Sequence, residues 1–384
     1  MTVITTTEEL QAACQRLSQE TYITVDTEFI RESTFWPQLC LFQMASRDES
    51  LAVDPLAEGI DLSSLFELMA DESTLKVFHA GRQDIEILYN LAGAVPKPIF
   101  DTQLAAMVCG FGDSVGYETL VSTLLKKRLD KASRFTDWAR RPLTDRQLSY
   151  ALDDVIYLHD IYQKLRRQLE TSGRAHWLDR EMELLASPAT YDVPLEDAWK
   201  RIKVRGTEPR FLGILQEVAG WRENEARTRD MPRSRVLRDE SLLEIAAHPP
   251  KTAEDLNRMR SVSQGFSQSR AGKALLEAVT RGVERAEDTL PHLAKKKSLP
   301  RGIGPLVDLL KVLLKMKCEE FDVAQKLIAN TADLERIAAD DYDDVPAMSG
   351  WRLEVFGDDA LKLKRGEIAL AADGRKIELV ELDD

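Results

Sequence analysis

The chain has 384 residues, 43% of them hydrophobic and 30% charged, the balance of a water-soluble protein with room for two or three domains. A net charge of -13 argues against a protein that coats nucleic acid by charge alone, and no apolar run approaches the length of a membrane span. The four cysteines (Cys14, Cys40, Cys109 and Cys318) are too far apart for a zinc site or a small disulfide scaffold. The start of the chain lacks a charged-then-apolar export signal, so a cytoplasmic protein is expected.

Strand-like segments fall at residues 22–28, 38–45, 50–54 and 75–79. The second and third flank the polar turn Ser46-Arg47-Asp48-Glu49 and read as a meander. Helical periodicity follows at 61–70, 82–91, 102–109, 117–127 and 144–169, which predicts a mixed sheet covered by helices over residues 1–185. Residues 186–209, with Pro188, Pro194, Gly206 and Pro209, read as a linker. Beyond it the strand signal nearly disappears. Two all-helical segments of similar length, 210–290 and 305–375, are separated by a second linker at 291–304, and residues 376–384 read as a tail. Charge is uneven: residues 1–200 carry 20 basic against 32 acidic side chains, 201–300 carry 20 against 14, and 301–384 carry 12 against 19. An acidic front with a basic middle is compatible with a metal-dependent enzyme followed by a phosphate-binding module.

The chemistry-bearing residues are scattered. Asp26 and Glu28 close an apolar strand run and, two apart, share a strand face. Two crowded carboxylates are costly unless a cation lies between them, and an oxygen-only set selects hard divalent ions such as Mg²⁺ or Mn²⁺. A solvated acidic strand end is the alternative reading of that pair. Asp84 falls in the first turn of the helix starting near Arg82, where an acid also serves simply to complement the helix dipole. Tyr150 and Asp154, four apart on the helix of 144–169, stack on one face; a phenol beside a carboxylate can orient a water and help remove its proton. Asp26, Glu28, Asp84 and Asp154 come from a strand end, a helix start and a later helix, elements that can converge at one sheet edge. Four carboxylates there could hold two ions about 3.5–4 Å apart, the separation used for in-line phosphodiester cleavage.

The combination resembles the DEDD exonuclease superfamily, and within it the ribonuclease D family. Asp26-Thr27-Glu28-Phe29 is similar to the first exonuclease motif, His79-Ala80-Gly81-Arg82-Gln83-Asp84 to the second, and Tyr150-x-x-x-Asp154 to the third in its tyrosine variant. The run from Leu129 to Trp138, with Arg141-Pro142-Leu143, extends the third; Pro37-Gln38-Leu39 and Phe100-Asp101-Thr102 also match. The resemblance implies a ribonuclease H-like fold. It implies 3′→5′ exoribonuclease activity with two divalent metal ions, Mg or Mn, releasing 5′-mononucleotides. Asp26, Glu28, Asp84 and Asp154 would be the ligands and Tyr150 the residue that positions or deprotonates water. Phe29 would wedge against the terminal base, since stacking tolerates any base. Lys131, Arg134 and Arg141 are candidate phosphate contacts, with ordinary solvated charge as the alternative. Trp138 is read as core, His79 as a hydrogen-bonded strand-end residue, and Asp101 as the cap of the helix starting at Thr102.

Segment 210–290 resembles the helicase-and-ribonuclease-D C-terminal (HRDC) domain, carried by Leu215, Trp221-Arg222, Ala226, Pro232, Val236-Leu237, Leu242, Ile245-Ala246, Pro249 and Leu256. Its basic residues Arg222, Arg227, Arg229, Arg233, Arg235 and Arg238 would grip RNA backbone without reading sequence; Arg222 and Arg235 are taken as substrate contacts. Segment 305–375 resembles a second copy, carried by Gly350-Trp351-Arg352 and Phe356-Gly357. Being acidic, it is expected to shape the ring around the active site, or to pack on its neighbours, rather than bind RNA strongly. The implied partners are RNAs, chiefly transfer RNA precursors with 3′ extensions, and a monomer is expected. The competing readings are a DNA exonuclease of the same superfamily and an RNA-binding scaffold without catalysis; only contacts to the 2′ hydroxyl would separate RNA from DNA.

Overall fold

The computed structural model describes residues 3–130, 136–204, 206, 208–260, 262–263, 265–293 and 299–382. Among them, six strands form one mixed sheet: β1 (Val3–Ile4), β2 (Tyr22–Ile30), β3 (Gln38–Ala45), β4 (Ser50–Val53), β5 (Leu75–Phe78) and β6 (Ile99–Asp101), in the order β1-β4-β3-β2-β5-β6. The meander β2-β3-β4 is antiparallel, and β2 and β5 pair in parallel. The four expected strands are present. The short edge strands β1 and β6 and helix α1 (Thr7–Leu17) were not legible, the strands because two or three residues carry no readable period.

Helices cover both faces. On one side α1, α2 (Ser63–Ala70) and α3 (Arg82–Ala92) bury Leu10, Leu17, Leu65, Leu68, Ile85 and Leu88 against Ile23, Val25, Phe42, Met44 and Val53. α4 (Thr102–Val108) and the short α5 (Tyr117–Leu120) follow. On the other side lies α6 (Asp145–Ser172), the longest helix. It opens on a capping box between Thr144 and Gln147 and stops at Gly173 in the left-handed region. Its stripe Leu148, Ala151, Leu152 and Val155 recurs every three or four residues and packs on Cys40, Leu41, Ala45 and Ala52, together with Trp138. Each fully buried Leu or Val here stabilises by about 1.5–3 kcal/mol. Trp138 is core, as expected.

Beyond α7 (Asp179–Leu185), the expected linker 186–209 is not merely a connector. Its 3₁₀ helix Leu195–Arg201 and the residue that follows place Ala198, Trp199 and Ile202 in the core of the next unit. That unit comprises α8 (Pro209–Thr228), α9 (Arg233–Val236), α10 (Asp239–Ala247), α11 (Ala253–Arg258) and α12 (Arg270–Glu284). It is tied to the sheet domain by the segment after β2. Phe35 is buried in the helical core beneath the Arg233 guanidinium, 4.5 Å from its ring centre, and the backbone N–H groups of Phe35 and Trp36 donate to Asp230 at 3.0 and 2.9 Å.

The last helices, α13 (Gly304–Glu320), α14 (Gln325–Ile328), α15 (Thr331–Ala338), α16 (Gly350–Arg352) and α17 (Asp358–Arg365), share one continuous core with α4 and the end of α6. Trp351 stacks on Trp177 at 4.2 Å between ring centres, and Arg352 pairs with Glu181. The expected tail at 376–384 is a correction: Lys376–Glu381 (β8) pairs antiparallel with Ile368–Asp373 (β7) around Gly374. β8 is mostly exposed and β7 grades from a buried Ile368 to an exposed end, so neither shows the period-2 burial contrast that marks a half-buried strand.

Candidate active site

The site lies at the carboxyl end of β2. Asp26 and Glu28 share the strand face that α6 covers, and α6 brings in Asp154. Carboxylate oxygens from Asp26, Glu28 and Asp154 all lie within 4.8 Å of one another. Asp84 is not part of that close trio. It enters from α3 on the opposite side of the strand, where the Thr27 hydroxyl donates to its Oδ1. Its charge still reaches Asp26.

The electrostatics follow from this crowding. Burial first, then the charges of Asp84, Asp154 and Glu28, raise the Asp26 carboxyl well above its ordinary range. Burial pushes Asp84 up to about 6, against the opposing hydrogen bond from Thr27. A fold that gathers acids this way disfavours their charged forms unless a cation compensates. The donors are all carboxylate oxygens, which suits a hard divalent ion.

A cavity of about 270 Å³ opens on the cluster, lined by Asp26, Asp154, Tyr150, His79, Gly116, Tyr117, Glu118, Thr119, Leu129 and Leu158. Tyr150 stands one helical turn before Asp154 on α6, its ring tilted against Trp138 at 6.2 Å. The pocket wall is built by a turn that admits few residues. Ala80 takes a positive φ of 54°, and a Cβ on Gly81 would collide with the Phe78 ring. Asp101 fastens this turn: its carboxylate accepts the N–H groups of Ala80 (3.1 Å) and Gly81 (2.8 Å) while capping α4 through Gln103 (2.7 Å) and Leu104 (3.3 Å). It is thus more than the expected helix cap. The Thr102 hydroxyl donates to the Phe78 carbonyl at 3.0 Å, so its oxygen is left to accept the His79 Nδ1–H at 3.0 Å. His79 Nε2 makes no close hydrogen bond among the described residues, although the Val115 backbone still acts on the ring.

Tyr117 escaped the sequence reading. Its hydroxyl donates to the Asp154 carbonyl at 2.6 Å and pins α6 beside the acids. Burial, with the nearby charge of Asp154 and Asp26, raises its phenol well above the ordinary value, so it stays a donor. A tyrosine opening a four-residue helix offers no spacing signal that would have found it.

The proposed substrate contacts divide. Phe29 lies on the face of β2 opposite Asp26 and Glu28, partly packed on the core beneath α3 and partly exposed. Lys131 and Arg134 lie outside the described residues. Arg141 is a correction: its guanidinium donates to both Asp54 oxygens at 2.6 Å and to the carbonyls of Cys40 and Trp138, leaving it committed to the fold rather than to phosphate. Arg222 is a second correction. It is 5% exposed and bound to the Leu237 carbonyl and Asp239, an internal brace rather than an exposed grip. Arg227 and Arg233 are likewise drawn onto the buried Glu223. Arg229, Arg235 and Arg238 remain exposed.

Comparison with known proteins identifies both kinds of domain. Residues 1–170 match a 3′-5′ exonuclease family model, and residues 211–279 an HRDC domain model. The chain is 51% identical to a Ribonuclease D of Nitrobacter hamburgensis, over 99% of this chain and 100% of the relative. It is 46% identical to a Ribonuclease D of Bartonella henselae, over 100% of this chain and 94% of the relative. The crystal structure of Escherichia coli RNase D, described as an exoribonuclease involved in structured RNA processing, superposes with a TM-score of 0.80 at 32% identity, covering 95% of this chain and 98% of that one.

Proposed function

The chain belongs to the ribonuclease D family and is a 3′-5′ exoribonuclease, and we propose that it trims the 3′ ends of transfer RNA precursors by a two-metal hydrolysis that releases 5′-mononucleotides. The observation that carries the reading is the meeting of Asp26, Glu28 and Asp154 oxygens within 4.8 Å at the mouth of a cavity. Asp26, Glu28, Asp84 and Asp154 would hold the divalent ions. When bound, such ions acidify an attacking water and neutralise charge growing on the leaving oxygen. Tyr150, in the same cavity, orients that water through its phenol oxygen. Phe29 supports the terminal base with its exposed part. Exposed Arg229, Arg235 and Arg238 supply a salt-sensitive hold on RNA backbone.

The test is product analysis on a transfer RNA carrying a 3′ extension, with and without chelator, beside a DNA oligonucleotide of matched sequence. Stepwise release of 5′-mononucleotides from the RNA, lost in chelator, is expected. Retained RNA binding with no metal-stimulated product would replace this reading with a scaffold. Equal or faster loss of the DNA strand would replace the substrate class. Tyr150→Phe separates orientation from binding: kcat should fall by about 10²-fold while KM for RNA changes little, measured in steady-state release assays.

A further inference from the structure

β3 is apolar along its buried length except at one position. Leu39, Cys40, Leu41, Phe42, Met44 and Ala45 are buried hydrophobics, and Gln43 among them is 0% exposed. Its amide nitrogen and amide oxygen both lack a hydrogen-bond partner among the described residues. A buried amide with neither bond made is a liability that a leucine or methionine would remove. The register shows what stands beside it. Gln43 is the cross-strand partner of Asp26, so the two side chains leave the same face of the sheet with Cβ atoms about 4.5–5.5 Å apart. On its other flank Gln43 pairs with the apolar Ala52. The helix above that face contributes the fully buried Ala151 and Val155. Thr24, the next polar group on the face, is satisfied by the carbonyls of Val155 and Ala45. Of the two cross-strand partners of Gln43, Asp26 is therefore the one able to accept from its amide.

We propose that Gln43 is a positioning residue for Asp26, its amide N–H placed to hold the carboxylate when that carboxylate ligates a cation. The inference rests on the reading of Asp26 as a metal ligand. Among the described residues the amide has no other bond to make. With a dication held by Asp26, the amide across the strand would donate to the carboxylate and fix its orientation toward the ion. The polar residue thus lowers the stability of the empty fold and raises the affinity of the filled one.

The test uses the full chain with Gln43→Leu, Gln43→Met and Asp26→Asn. Thermal melts in chelator and during Mg²⁺ and Mn²⁺ titration read metal binding without reference to activity. Both Gln43 variants are expected to melt in chelator at or above the wild-type temperature. They should need about 10–100-fold more Mg²⁺ for the half-maximal rise in Tm. The same displacement should appear in the metal dependence of kcat, with recovery at saturating metal. Wild-type metal curves in both variants would overturn the proposal. So would a clear loss of melting temperature in chelator for both, since that would show the amide already bonded in the empty fold. Asp26→Asn tells the two ideas apart. If it keeps the metal-induced rise in Tm, the ligand reading itself is wrong. If it loses the rise while both Gln43 variants keep the wild-type response, only the role of Gln43 falls.

Discussion

Replacing Asp26 by Asn should reduce nucleotide release by about 10³-fold or more, a barrier increase of about 4 kcal/mol, without unfolding the protein. The side chain keeps its shape and one carbonyl oxygen, so the packing of β2 against β3 and α6 has no reason to change. What it loses is the ionisable group at the centre of the site, on which the charges of Asp84, Asp154 and Glu28 all act. In chelator the variant should melt at or above the wild-type temperature, because one member of a repelling trio is gone. Adding Mg²⁺ should stabilise wild type and not the variant. Single-turnover release assays, paired with melts with and without chelator, measure both halves. Near wild-type release from purified Asp26→Asn would sink the assignment of the site.

The second large effect is a pH dependence of the metal-free protein. Asp84 has a folded value of about 6 against an ordinary 3.8, and Asp26 is shifted in the same direction, both chiefly by burial. A raised folded value means that the folded state holds its proton longer than the unfolded chain. The associated stability is therefore complete below about pH 4 and is lost as pH rises through about 6. For Asp84 alone the loss is roughly 3 kcal/mol. Melting temperature in chelator should fall between about pH 4 and about pH 7, and Asp84→Asn should flatten part of that slope, since its amide oxygen can still accept the Thr27 hydroxyl. Divalent metal should invert the trend. The ligands must shed protons to bind, so metal-induced stabilisation grows as pH rises past about 6. Melts over that range with and without Mg²⁺ check the sign; a chelator profile that rises with pH would contradict it.

The legible parts of this protein were those whose signal is local. Apolar runs bounded by turn residues mark β2 to β5, a stripe of apolar residues at helical spacing marks α6, and the order Asp26, Glu28, Asp84, Tyr150, Asp154 carries its own spacing. The misreadings have a common cause. Arg141 and Arg222 are drawn as cations in sequence, and their use depends on whether an Asp54 or an Asp239 folds against them, which no local pattern records. Trp199 sits in a stretch rich in turn residues yet packs in a core built by α8 and α12. Tyr117 becomes a fastening for α6 only because two remote segments meet.

By itself, then, the order of amino acids determined the fold class, the two kinds of domain, the family and the set of acids, because these depend on periodicity and on residue types within a few positions of one another. Which acids share an edge, which arginines face water, and why a buried amide lies across from Asp26 were decided by tertiary structure alone. Burial and charge repulsion act through space, and they couple β2, β3, α3 and α6 across separations in the chain that no local reading spans.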